Sequence, residues 1–185
     1  MSRTIDVSAI SGNAPVEVKE FVGDVSGIFA NITEHQGPLF GEAIQDRLRV
    51  TEVSINQKAE APKKLEGRVV VETIIEEDML NGGGNIHGGC SAFLIDICST
   101  LALAALSLAT TQKLAFTVSQ SLNVVYHSPA GLGDHIRIVN QTLTLGARAQ
   151  SLRSEIWSVT HGRLVASGTH IKLQPSSPPS PKANL

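Results

Sequence analysis

The 185-residue sequence predicts an α+β domain in which a curved antiparallel β-sheet wraps around one long apolar helix. Six stretches are rich in Val, Ile and Thr, as strands are. One apolar helix candidate follows the second stretch, and the last four stretches run in series with only turns between them. Strands joined by short turns pair antiparallel, and the resulting sheet has one face for a helix to cover.

The elements can be placed individually. The predicted strands span residues 48–57, 67–75, 115–127, 135–145, 147–159 and 164–173, and the helix spans residues 87–108. Turn residues separate the later strands, namely the SPAGLGD segment at 128–134, Gly146 and the His-Gly pair at 161–162. The helix is apolar nearly all round, so we expect it to be buried on most sides.

The two ends of the chain differ in composition from its middle. Residues 174–185 are rich in Pro and Ser, which predicts a disordered tail. Apolar residues recur at helical spacing from Val18 to Ile32, which predicts an amphipathic helix capped by Asn13. We therefore expect an N-terminal extension at 1–46, one folded domain at 47–173 and the tail at 174–185.

Composition argues against several classes of partner. The formal net charge of -2 gives no basic balance for nucleic acid. The apolar stretch after Cys98 is interrupted by polar residues and falls short of the ~20 apolar residues of a membrane span. The six histidines are scattered, so no metal site and no cofactor is predicted.

The first residues contain no apolar signal core, and we expect a cytoplasmic location, with a mitochondrial one as the alternative.

Asp96 lies in the middle of the apolar helix. A buried carboxylate is costly unless it is paired, hydrogen-bonded or functional. Ser99 and Thr100 follow at the spacing of one helical turn, so a carboxylate that is turned to solvent or bonded locally to these hydroxyls is one interpretation. A catalytic carboxylate is the other.

The start of the helix favours the catalytic interpretation. Residues 81–89 read NGGGNIHGG and place unhindered N–H groups at a helix N-terminus, where a developing oxyanion would be stabilised. The spacing is neither a dinucleotide fingerprint, because His87 stands where the third glycine should be, nor a phosphate-binding P-loop. A flexible glycine loop is the alternative.

Helix geometry indicates how Asp96 and the glycine-rich helix start could serve one site. Gly88 and Asp96 are eight residues apart, or ~12 Å along a helix, which is more than an Asp side chain spans. If both serve one reaction, two copies of the chain related by a two-fold axis must share the site. This hypothesis predicts a dimer at minimum.

These motifs resemble the hotdog-fold acyl-CoA thioesterases, in particular the phenylacetate-pathway and thioesterase superfamily member 2 types. The family pattern is His-Gly-Gly, an Asp nine residues after the His, and a Ser-Pro-Ala turn after the next strand. Here these are His87-Gly88-Gly89, Asp96 and Ser128-Pro129-Ala130. The resemblance covers roughly residues 48–173. It implies a hotdog fold and a homo-oligomer, a dimer or a dimer of dimers, with active sites at subunit interfaces.

The resemblance also implies roles for individual residues. The Gly88 N–H and the Asn81 side chain would polarise the thioester carbonyl, and Asp96 of the partner subunit would act as general base or nucleophile. Ser119 would orient the water and His87 would brace the loop. Strand alternation puts Ser119 on one polar face with Thr117, Ser121 and Asn123. The residues implied for binding acyl-CoA are Gly89, Ser121, Tyr126, Ser128, Pro129, Gly146 and Arg148, with Arg137 and Lys172 as further phosphate partners.

Two other functions remain open at this point. A hotdog hydratase or dehydratase is the nearest enzymatic rival, although its Asp-x-Asn-Pro-x-His segment does not occur in the sequence. A non-catalytic acyl-CoA-binding protein on the same fold is the other alternative. A serine hydrolase is disfavoured, since residues 89–93 only approach Gly-x-Ser-x-Gly.

Overall fold

The computed structural model describes residues 5–31, 37–114 and 117–175, and it confirms the predicted α+β class. The helices are α1 (Val16–Gly23), α2 (Val25–Asn31), α3 (Glu42–Gln45) and α4 (Gly88–Thr111), with short 3₁₀ turns at Val7–Ala9 and Glu77–Met79. The strands are β1 (Arg49–Gln57), β2 (Leu65–Ile74), β3 (Val118–Tyr126), β4 (His135–Leu145), β5 (Ala149–Ser158) and β6 (Arg163–Leu173).

The six strands form one antiparallel sheet in the order β1-β2-β4-β5-β6-β3. Helix α4 lies against this sheet and contacts every strand. The core between them is mainly aliphatic, and its fully buried members include Leu94, Leu101, Ile138, Leu152 and Ile156. The alternation of buried and exposed residues along β4 and β5 shows that one face of the sheet is packed on the helix, as the sequence predicts.

Helix α4 begins one residue after His87 and extends three residues beyond the predicted end. The Thr110 and Thr111 hydroxyls donate to the carbonyls of Leu106 and Ser107, at 2.7 and 2.8 Å, and Gln112 in the left-handed region ends the helix. By length and composition alone this helix could cross a membrane. Most of it is buried within the domain, as in the core helix of a soluble protein.

The N-terminal helix differs from its prediction. Two helices replace one, because the chain turns at Asp24, whose carboxylate accepts a hydrogen bond from the Gly27 N–H (3.1 Å) in the first turn of α2. Asn13 caps neither helix, since its side chain bonds to the backbone of Ile55 instead. The proposed division of the chain into three parts stays a prediction, and most of its tail segment (residues 176–185) lies outside the described residues.

The two edges of the sheet differ. The edge of β1 is covered by the N-terminal segment, in which Ser11 exchanges backbone hydrogen bonds with Thr51 and Val53 (both 3.0 Å). The edge of β3 has no strand beside it among the described residues, and Val125 on this strand is exposed. A long open edge with exposed apolar residues is a ready template for pairing with another chain.

Candidate active site

Asp96 is held at one carboxylate oxygen. The Ser119 hydroxyl donates to Asp96 Oδ1 at 3.0 Å, and His170 Nε2 lies 3.3 Å from the same oxygen. The Asp96 side chain is 41% exposed, so it borders solvent although its helix is apolar. The Thr100 hydroxyl donates to the Asp96 backbone carbonyl at 2.9 Å, and Ser99 Oγ lies 3.2 Å from the same carbonyl. Neither hydroxyl contacts the carboxylate, so the interpretation in which they bond it is wrong.

Sequence reasoning missed two residues beside this carboxylate, His170 and Lys172. Both lie on the face of β6 that packs against α4, and the two residues are 0% and 5% exposed respectively. Burial, with the Lys172 charge adding to it, lowers the pKa of His170 to about 4, so the ring is neutral. Burial also lowers the pKa of Lys172, while the nearby Asp96 opposes that shift. Lys172 donates to Ser119 Oγ at 3.4 Å, so its predicted role as a surface phosphate contact is wrong.

A β-bulge turns Ser119 towards Asp96. Ser119 pairs with Lys172 and Ser121 pairs with Ile171, so Gln120 is an extra residue between two consecutive pairs. Directly paired residues share a face, and therefore Ser119 faces the helix while Ser121 faces the other way. The predicted common face of Ser119 and Ser121 is wrong, because strict alternation does not hold across a bulge.

The loop before α4 fixes the orientation of the Asn81 side chain. Asn81 Oδ1 accepts hydrogen bonds from the N–H groups of Gly83 (2.9 Å) and Asn85 (3.2 Å). Gly84 permits this tight turn through its positive φ of 74°. The Asn81 amide nitrogen has no acceptor within the described part of the chain, so it remains available as a donor.

The first turn of α4 offers a second donor. His87 is the N-cap residue, and its Nδ1 accepts from the Gly89 N–H at 2.9 Å. The Gly88 N–H has no acceptor among residues 5–31, 37–114 and 117–175. The Tyr126 hydroxyl donates to the Gly88 carbonyl at 3.0 Å, and a Cβ on Gly88 would lie 3.2 Å from the Tyr126 ring. A side chain at position 88 would therefore press on this ring, and glycine avoids the contact.

Two cavities flank the start of α4. A cavity of about 370 Å³ is partly polar and brings together several predicted site residues: Asn81, Gly88, Tyr126, Ser128 and Pro129. A second cavity of about 710 Å³ adjoins His87 and Gly89, and its apolar wall consists of Leu39, Phe40, Ile44, Leu80, Cys90 and Phe93. The helix start is therefore placed between a polar and an apolar space.

The remaining predicted binding residues lie elsewhere in this chain. Gly146 lines a separate cavity with Leu106 and Thr110, near the C-terminal end of α4, and Arg148 is exposed in the same turn. Since α4 has 24 residues, its ends are about 36 Å apart. A single chain therefore does not bring Gly146 and Arg148 to Gly88. Arg137, a further predicted phosphate partner, donates to Glu72 at 2.8 Å.

Comparison with known proteins shows what this chain is related to. Residues 83–165 match the profile of the Thioesterase superfamily. Acyl-coenzyme A thioesterase 13 from Mus musculus is 33% identical over 150 residues, which cover 80% of this chain and 97% of the mouse protein. The chain belongs to the thioesterase superfamily.

Further relatives extend this assignment to the fold. Acyl-coenzyme A thioesterase 13 from Homo sapiens is 36% identical over 106 residues, covering 57% of this chain and 72% of that protein. The crystal structure of zebra fish thioesterase superfamily member 2 superposes with a TM-score of 0.64 at 26% identity, covering 83% of this chain and 98% of that one. The predicted hotdog fold is confirmed, and the protein is a thioesterase. The roles of its individual site residues stay predictions.

The described part of this thioesterase contains no group of three His, Cys, Asp or Glu side chains arranged to hold a metal ion. Both cysteines are free thiols. Burial raises the pKa of the Cys90 thiol to about 11, with the Asp78 carboxylate adding to the shift, and burial also raises the pKa of Cys98. The thiolate is the reactive form, so both residues should react slowly near neutral pH.

This predicts that the native enzyme alone reduces DTNB only slowly at about pH 8, a pH well below both thiol pKa values. Denatured enzyme should quickly release the amount of chromophore that corresponds to two thiols per chain. Absorbance of the released chromophore, with and without denaturant, checks the prediction. Fast reaction of one equivalent in the native protein would contradict the shielding of Cys90.

Proposed function

We propose that this thioesterase hydrolyses acyl-CoA thioesters, with Asp96 as the general base or nucleophile. The observation that carries the proposal is the arrangement of Asp96, a carboxylate on an apolar helix that is held at Oδ1 and open to solvent. The relatives named as acyl-coenzyme A thioesterases support the substrate class. A cytoplasmic location stays a prediction.

The reaction needs few groups, because a thioester carbonyl is electrophilic and a thiolate leaves readily. As general base, Asp96 takes a proton from water while the water oxygen bonds to the carbonyl carbon. The resulting oxyanion accepts hydrogen bonds from the Gly88 N–H and the Asn81 amide nitrogen. Collapse of this intermediate breaks the C–S bond, and the CoA thiolate leaves and takes up a proton.

One chain does not place these groups around one carbonyl, since the helix separates Gly88 from Asp96 by about 12 Å. We propose that two chains share each site, one providing Gly88 and Asn81 and the other providing Asp96. The open edge of β3 supports this arrangement, because Ser119 on this strand reaches Asp96 and Tyr126 on the same strand reaches Gly88. Antiparallel pairing of two β3 edges would bring Ser119 of each chain near Tyr126 of the other. Such dimers could pair again into tetramers.

The apolar cavity beside Gly89 is proposed to take the acyl chain. Phe40 and Phe93 contact edge to face there, with their ring centroids 5.2 Å apart. Gly41 makes this contact possible, because a Cβ at this position would lie 2.4 Å from the Phe93 ring. Phe40 is 83% exposed, so its ring has apolar surface left for a ligand to cover.

Asp96→Asn should greatly reduce turnover. The change keeps the shape of the side chain and removes the base, so kcat should fall by about 100-fold or more while the oligomer persists. DTNB detection of free CoA from a panel of acyl-CoAs measures it. Glu20→Gln, which neutralises an exposed carboxylate on α1, is the control and should leave kcat unchanged.

Two results would contradict the proposal. Equal activity of the wild type and Asp96→Asn would mean that the site is misplaced. Release of no CoA from any substrate by the wild-type enzyme would favour the hydratase or the binding-protein alternative, since neither releases the thiol.

Phe40→Ala should weaken recognition of long acyl chains. Loss of the ring removes apolar contact, so KM for a long-chain acyl-CoA should rise about tenfold while turnover of acetyl-CoA stays unchanged. Leu132→Ala, which removes another exposed apolar side chain, is the matched control. An equal loss with acetyl-CoA and long-chain substrates would exclude this cavity as the acyl site.

A further inference from the structure

His170 and Ser99 form a buried pair behind the proposed base, and the mechanism above does not use them. Ser99 Oγ lies 2.8 Å from His170 Nδ1, and both side chains are fully buried. On the other side of the ring, His170 Nε2 is 3.3 Å from Asp96 Oδ1, without the alignment of a hydrogen bond in this single chain. The imidazole therefore lies between Ser99 in the core and the Asp96 carboxylate.

The charge of the ring follows from its surroundings. The titratable groups that face His170 are Asp96 on α4 and Lys172 on its own strand. The neighbouring strands place Leu122 and Leu152 directly opposite it. Burial among apolar residues beside the Lys172 ammonium keeps the imidazole neutral. In a neutral ring one nitrogen carries a proton and donates a hydrogen bond, and the other nitrogen accepts a hydrogen bond.

The hydrogen bonds of Ser99 decide which nitrogen carries the proton. If the Ser99 hydroxyl donated to the Asp96 backbone carbonyl, Nδ1 would donate to Ser99, and the Nε2 lone pair would face a carboxylate. In that arrangement two hydrogen-bond acceptors, Nε2 and Asp96 Oδ1, face each other, which is unfavourable. The carbonyl does not need Ser99, because Thr100 already donates to it at 2.9 Å. The favourable arrangement has Ser99 donating to Nδ1 and the proton on Nε2.

We propose that His170, fixed as its Nε2–H tautomer by Ser99, is a positioning residue that presents its Nε2–H on the Oδ1 side of Asp96. The Ser119 hydroxyl donates to the same oxygen, so both groups lie on the Oδ1 side of the carboxylate. No donor to Asp96 Oδ2 is found in the described chain, so Oδ2 is the oxygen that takes the proton from water or attacks the carbonyl. The inference rests on the proposed function for its catalytic part, and the tautomer itself does not depend on it.

The tautomer can be measured directly. In long-range ¹H–¹⁵N spectra of the folded enzyme, His170 should show a protonated Nε2 and an unprotonated Nδ1 at pH values more than about one unit above its pKa. Asp96→Asn should shift the His170 Nε2 resonance, since it removes the charge that the N–H faces. A protonated Nδ1, or a positively charged ring near neutral pH, would overturn the proposal whether or not the enzyme hydrolyses acyl-CoA.

Kinetics test the positioning role. His170→Leu removes the donor and should lower kcat about 10- to 100-fold with KM nearly unchanged, because the base is still present but misdirected. His170→Gln keeps an N–H donor near the position of Nε2 and should recover most of the loss. Wild-type kcat in a folded His170→Leu enzyme, or equal losses in both variants, would overturn the role. Inactivity of the wild type would instead contradict the proposed function, and the spectra would still decide the tautomer.

Discussion

The rest of the proposed site depends on one constraint, the cost of a carboxylate on an apolar helix. Asp96 occupies the helix that forms the centre of the core, and the fold offsets this cost with polar groups from two strands. Ser119 donates to one oxygen from β3, and His170 and Lys172 lie on the inner face of β6. These groups lie on the Oδ1 side of Asp96, and no donor to Oδ2 is found in the described part of the chain. Preorganisation of this kind is what a single catalytic carboxylate requires.

The edges of the sheet connect this local arrangement to assembly. The N-terminal segment covers β1, and among the described residues the open edge is β3, the strand that carries Ser119 at one end and Tyr126 at the other. A dimer formed through β3 would bring the Asp96 end of one chain to the Gly88 end of its partner. The same pairing would remove the exposed edge that otherwise favours aggregation. Pairing of the β3 edges would then both protect the protein from aggregation and complete its active sites.

Local sequence signals predicted much of this molecule. The order of the strands and of the long helix was predicted correctly. It follows from stretches rich in strand-forming residues, from turn residues and from one apolar helical segment, and all three are local patterns in the sequence. The His-Gly-Gly start of α4 and Asp96 were visible because polar or unhindered residues interrupt an apolar pattern. The split of the N-terminal helix at Asp24 was missed, since helical spacing continues across it.

The inner support of Asp96 was not predictable in the same way. His170 and Lys172 follow strand alternation like ordinary sheet residues, and their proximity to Asp96 depends on how β6 crosses α4. The bulge at Gln120 shifts the face of Ser119 and leaves no local composition signal. Such contacts are set by tertiary register, which a single sequence does not show. The carboxylate itself indicated that partners must exist without identifying them.

Activity of a hybrid dimer tests the central claim that two chains build each site. Asn81→Ala and Asp96→Asn chains, each weakly active or inactive alone, are co-expressed with different tags, and the hybrid is isolated through both tags. A shared site predicts that one of its two sites is intact, so the hybrid should have about half of the wild-type activity per dimer. Activity no higher than the mean of the two parent dimers would contradict the shared site, because each chain would then carry its own defect.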